Sequence, residues 1–202
     1  MSNTNKMPEI KAILIGESGV GKTNLINVIT GRRFKEDEET TFSNSFVGKT
    51  FNINQKNYKV QLWDTIGQEK YKNLTKLFFK DSKIVILVYD KSEKQTFKKL
   101  DFWKDEVKNS LGDDIILAII GNKGDKDETI DDVNEDEARE YANNLNAKFR
   151  ITSAKVNAKG FEKFLEELLI DYIKKNGGDI ENNDDKFVLD RKRKKKKSKM
   201  KC

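Results

Sequence analysis

The stretch IKAILIGESGVGKTNLINVIT, residues 10–30, decides the fold. Its first six residues are almost wholly apolar, stop at Gly16, and give way at Lys22 to an amphipathic run. The segment therefore reads as strand, glycine-rich turn and helix. Gly16-Glu-Ser-Gly-Val-Gly21-Lys22-Thr23 matches the phosphate-binding pattern GxxxxGK[ST]. Gly16, Gly19 and Gly21 let the backbone curl until its N–H groups point inward at phosphate oxygens, and the positive end of the helix adds to that field. Lys22 is expected to bridge the β- and γ-phosphates, and the Thr23 hydroxyl to reach Mg²⁺. Ser18, Val20 and Asn24 are further candidate nucleotide contacts in and just after the loop. The rival reading, a glycine turn that merely starts a helix, fits poorly with a strand directly before the motif. The motif alone indicates a nucleoside triphosphate and leaves the base open.

Outward from this unit, short apolar runs alternate with amphipathic stretches. Residues 46–53, 59–64, 83–90, 115–122 and 148–152 read as strands beside 10–15, and 22–31, 71–79, 93–110, 134–146 and 159–176 as helices. In the last of these, Phe161, Phe164, Leu165, Leu168, Leu169, Tyr172 and Ile173 form one stripe, the mark of a core-facing helix. The alternation implies an α/β fold, a six-stranded mostly parallel sheet with helices on both faces and ligands at the strands' carboxyl ends. Strands 46–53 and 59–64 are the exception. The connection between them is of hairpin length, so they make the one antiparallel pairing.

Three further motifs each leave a strand. Asp64-Thr-Ile-Gly67-Gln68 supplies a carboxylate for the Mg²⁺ shell, a Gly67 N–H for the γ-phosphate and Gln68 to orient the attacking water. Asn122-Lys123-Gly124-Asp125 follows residues 115–121 directly. The Asp125 carboxylate can accept from guanine N1 and N2, an edge that adenine does not present. Thr152-Ser153-Ala154-Lys155 offers the Ala154 N–H to guanine O6 and the Lys155 stem to cover the ring. Each alone reads equally well as a polar turn. In this order after a phosphate loop they select guanine.

The chain has 202 residues, room for one well-buried core, and no apolar run long enough to span a membrane. Its start lacks a signal-peptide stretch, and its one cysteine, Cys202, is terminal, so a cytosolic context is expected. Charge is unevenly placed. The last 12 residues, RKRKKKKSKMKC, hold 9 Lys+Arg and no acid, which leaves 31 basic against 34 acidic groups in the body. The pI of 9.1 thus describes the tail and does not imply a nucleic-acid-binding surface on the folded part. Three segments result: a flexible start at 1–8, a GTP-binding domain at 9–176, and a flexible tail at 177–202, the composition shifting after Lys175 to NGGDIENNDD. The tail reads as solvated disorder, a nuclear or nucleic-acid patch, or a membrane anchor. Nine basic residues beside a C-terminal cysteine favour anchoring to an anionic membrane through 191–202, with lipid on Cys202.

GESGVGKT, WDTIGQE, GNKGD and TSAK, in this order and spacing, resemble the Ras superfamily. LVYDKS (87–92), FFKDS (78–82), QEKYKNL and the basic, cysteine-ended tail are most similar to the Rab family of vesicle-traffic switches, and TTFSNSFVGKTFNI (40–53) to its early-endosomal branch. The resemblance implies a monomeric switch enzyme that binds GTP and GDP with Mg²⁺ and hydrolyses GTP slowly. It implies exchange-factor, activator and effector contacts through 36–47 and 66–79, no specific nucleic acid, and residence on the cytosolic face of intracellular, endosomal membranes. It also assigns Phe34 to packing against guanine, and Thr41 to Mg²⁺ and the γ-phosphate. The chain departs from the family at three places. Ser43 replaces the usual glycine of the effector segment, and the tail ends in one cysteine where two are usual. Ile66 replaces the alanine before Gly67, and its β-branched side chain restricts the backbone beside the γ-phosphate. A hydrolysis-impaired, nucleotide-locked module that recruits partners is therefore the alternative, and a nucleic-acid-stimulated ATPase a distant third. Arg32 and Arg33 read as the end of the first helix rather than as an arginine finger.

Overall fold

The computed structural model describes residues 7–36, 45–65, 78–112, 114–126 and 132–178. Thr41, Ile66, Gly67, Gln68, most of the expected helix 71–79 and the tail with Cys202 lie outside them. The elements run β1 (Glu9–Ile15), α1 (Lys22–Ile29), β2 (Ser45–Ile53), β3 (Lys56–Asp64), β4 (Ile84–Asp90), α2 (Lys94–Lys98), α3 (Leu100–Leu111), β5 (Ile116–Asn122), α4 (Glu135–Asn144), β6 (Lys148–Ile151) and α5 (Ala158–Lys175). The six strands form one sheet in the order β2-β3-β1-β4-β5-β6. Among the described residues, only the β2–β3 pair is antiparallel.

The period of two along each central strand sorts its side chains onto two faces. Ile10, Ala12 and Leu14 of β1 join Ile84, Ile86 and Val88 of β4 under α1 and α5, where the stripe from Phe161 to Ile173 is buried. Ile13 and Ile15 join Val85, Leu87 and Tyr89 under α2, α3 and α4, against Phe97, Trp103 and Val107. Burying each of the larger side chains contributes about 1.5–3 kcal/mol. With both faces covered, the carboxyl ends of the parallel strands at one edge are left for loops. All four motifs emerge there.

Two boundaries differ from expectation. The hairpin is shorter than its sequence suggests, because β3 begins at Lys56 and the turn is only Asn54-Gln55, both at positive φ (49° and 63°). That is a type I′ turn, whose twist matches the flanking strands. The expected helix 93–110 opens at Lys99, where ψ is −10°. Backbone bonds from Lys99 N to Gln95 O (3.2 Å) and from Trp103 N to Lys99 O (3.3 Å) continue across the opening. The first turn of α2 is tied to the end of β4 by the Asp90 N–H, which donates to Thr96 Oγ1 at 3.0 Å.

Candidate nucleotide-binding site

The phosphate loop leaves β1 at Gly16, where a Cβ would collide with the Val88 carbonyl of the neighbouring strand. The loop can therefore pack this close to β4 only without a side chain. Gly21 closes it at φ 93° directly before α1. Lys22 is buried, and its Nζ donates to the carbonyls of Gly16 (2.9 Å) and Glu17 (2.8 Å). Burial lowers its pKa to about 8, against the opposing pull of the Asp64 and Glu17 charges. The Thr23 hydroxyl donates to Asp64 Oδ2 at 2.7 Å, so the first residue but one of α1 meets the last residue of β3. Thr65 Oγ1 donates to Leu14 O at 2.6 Å and pins the chain beyond Asp64 onto β1. The two hard oxygen donors, Thr23 and Asp64, converge beside Lys22 and suit Mg²⁺, which is held by few protein ligands plus phosphate.

On the base side, Asn122 joins three loops. Its Nδ2 donates to Val20 O at 2.8 Å, and its Oδ1 accepts from Ala154 N at 3.1 Å. The Ala154 N–H expected on guanine O6 is thus engaged within the protein, and O6 recognition would require that donor to be shared. Ser153 Oγ donates to Asp125 Oδ1 and accepts from the backbone N–H groups of Lys155 (3.1 Å) and Val156 (3.2 Å). The carboxylate assigned to base reading is oriented in this way. Across the mouth, Lys155 Nζ pairs with Glu36 Oε1 at 3.2 Å.

Asn24 holds the loop after α1 through a two-bond bridge: its Nδ2 donates to Lys35 O (2.7 Å) and its Oδ1 accepts from Lys35 N (3.0 Å). Phe34 lies half-buried against the α1/α5 core. Helix α1 stops at Ile29, and Gly31 at φ 84° turns the chain, so Arg32 and Arg33 lie beyond the last turn rather than in it. They line, with Lys35 and Val47, a cavity of about 430 Å³ that also touches Thr23 and Asp64.

Sequence reasoning gave no role to Asp90 or Glu17. Asp90, almost fully buried at the end of β4, pairs with Lys123 Nζ at 2.7 Å and accepts from Ser92 N (3.0 Å) and Ser92 Oγ (2.7 Å). The acid followed two residues later by serine was a legible turn signal, but its lysine partner was not. Glu17 Oε1 accepts from the Trp103 indole Nε1 at 3.0 Å, a contact between residues 86 apart with no local signal at all. Phe46, within the expected partner-contact segment 36–47, stacks on Trp63 (4.9 Å between ring centroids), with Lys11 Nζ 4.3 Å from the Trp63 centroid.

A family model described as Ras family matches residues 11–174. Relatives include Ras-related protein Rab-21 of Geodia cydonium, 40% identical over 156 residues, or 77% of this chain and 68% of the relative. Rab-21 of Homo sapiens is 38% identical over 165 residues, covering 82% and 71% of the two chains. Ras-related protein Rab-2B of Dictyostelium discoideum is 34% identical over 162 residues, covering 79% and 80%. A family match over most of the chain, with relatives at this identity, places it in the Ras family as a small GTPase of the Rab type.

Proposed function

We propose that this GTPase is a Mg²⁺-dependent switch in vesicle traffic at the cytosolic face of endosomal membranes, with residues 9–176 as its GTP-binding domain. The observation that carries the site assignment is the Asn122 side chain, which locks the phosphate loop to the base loops while Ser153 aims Asp125. Lys22 binds the β- and γ-phosphates, the loop N–H groups from Ser18 to Asn24 surround them, and Thr23 and Asp64 hold the metal with Thr41. Bound there, Mg²⁺ would neutralise charge on the phosphate oxygens. Gly67 and Gln68 position the γ-phosphate and the water. Phe34, Lys123 and Lys155 flank the base. Turnover is slow without an activating protein, because none of the chain's arginines stands in the phosphate loop, in residues 36–47 or in the motif from Asp64 to Gln68.

Partners engage residues 36–47 and 66–79. Phe46, 51% exposed in the first of these segments and stacked on Trp63, supports this by presenting apolar surface. The tail 191–202 and a lipid on Cys202 attach the switch to membrane. Asp125→Asn tests the reading: GTP affinity falls by two orders of magnitude or so, about 3 kcal/mol, while xanthosine triphosphate, whose C2 oxygen accepts from the amide, binds more tightly. Unchanged GTP affinity removes Asp125 from the base site. Ile66 favours the nucleotide-locked alternative. GDP production by purified protein, with and without activating-protein extract, separates the two.

A further inference from the structure

We propose that Trp103 is a positioning residue for the phosphate loop: its indole N–H holds the Glu17 carboxylate against α3 and away from the place where a nucleotide's phosphates sit. The inference rests on the nucleotide-binding reading of that loop. A carboxylate is the wrong charge at the second position of a loop built to receive a polyphosphate, since like charges at close range in a partly buried site repel strongly. Glu17 nevertheless stands between Gly16 and Ser18, and its charge is felt at the Lys22 ammonium. Within the loop, Lys22 Nζ takes up the Glu17 carbonyl and not its carboxylate.

The restraint comes from outside the loop. Trp103 is 1% exposed, packed in the core on α3 with Leu100, Val107 and Phe97, so its position is set by the sheet rather than by the loop. A buried indole N–H usually finds an acceptor, and Glu17 Oε1 at 3.0 Å provides it. The same bond satisfies the core's donor and parks the loop's anion.

The test is the rate at which the full-length protein releases a fluorescent GDP analogue. Benzothienylalanine installed at position 103 keeps the shape of tryptophan and lacks the N–H. It should speed release about fivefold or more, and less at high salt. Glu17→Gln should slow release by about twofold, and in that background loss of the N–H should change the rate by less than about twofold, the signature of coupled neighbours. Equal acceleration in both backgrounds, or none in either, overturns the proposal. So does a Trp103 indole N–H resonance that stays in place on Glu17→Gln, with Trp63 as the internal reference. A wild type that holds no analogue at all sinks the nucleotide reading itself, and this inference with it, before any variant is compared.

Discussion

Burial holds the Lys22 ammonium at about pKa 8, well below its ordinary 10.5, and a nucleotide's phosphates would restore its charge. Binding above pH 8 therefore takes up a proton, and nucleotide affinity should fall with pH, approaching tenfold per unit between about 8 and 10. Calorimetry in buffers of different ionisation enthalpy measures the uptake directly. A pH-independent affinity with no proton uptake would contradict it. The ligand-free chain behaves oppositely. Its folded state binds fewer protons than the unfolded state across 8 to 10.5, so its stability rises with pH over that window. Asp90 has the same sign, in the acid range. Burial pushes its carboxyl upward, but hydrogen bonds from Lys123 and Ser92, with the Lys123 charge, outweigh that and hold it below 3.8. Its contribution is complete above 3.8 and lost as pH falls through the lower folded value. Asp90→Asn should cost about 1–2 kcal/mol at neutral pH, with the gap to wild type closing below pH 3.8 in thermal melts. A gap that persists in acid would show that packing, not charge, is what the substitution disturbs.

Among the elements, the β2–β3 hairpin carries a local cost that its sequence could avoid. Gln55 sits at φ 63° in the second position of a type I′ turn, where a side chain is strained by roughly 1 kcal/mol and Asn-Gly is favoured. Gln55→Gly should raise stability by about 0.5–1 kcal/mol, after the entropy that glycine adds to the unfolded chain, and should leave nucleotide release unchanged. A fall in melting temperature would mean that Gln55 makes a compensating contact. Helix α4 shows the opposite situation, with sequence and structure in agreement. Asn134 Oδ1 accepts from the N–H groups of Asp136 and Glu137, and three acids in the first turn match the positive helix end.

At the scale of the whole molecule, the parallel strands bring the loops after β1, β3, β5 and β6 to one edge, and Asn122 ties those after β1 and β6 to its own strand end. The proposed anchor is the basic tail that follows this domain. One lipid chain alone binds membranes marginally, whereas each basic residue near an anionic surface adds about 1 kcal/mol. Loss of Cys202 should therefore release the protein to the soluble fraction, and neutralising the lysines of 191–201 should weaken binding to anionic vesicles without altering GTP affinity. Added salt should weaken the basic part and spare the lipid part. An unmodified Cys202 in protein from its own cells, with all of it soluble, would leave only the disordered or nuclear readings of the tail.

The sequence by itself determined the alternation of strands and helices, the buried stripe of α5, the phosphate loop and the order of the motifs. Each is written in spacings of a few residues, glycine placement or period, which local sterics and burial read directly. Only the tertiary structure decided that Arg32 and Arg33 line a cavity instead of closing α1, that Ala154 N–H meets Asn122, and that Asp90 pairs with Lys123. It alone joined Glu17 to Trp103, 86 residues away, and Asn122 to Val20, 102 away. Such partners are chosen by which strands lie side by side, in what register, and by which helix covers which face. Those are properties of the closed sheet, and no local segment contains them.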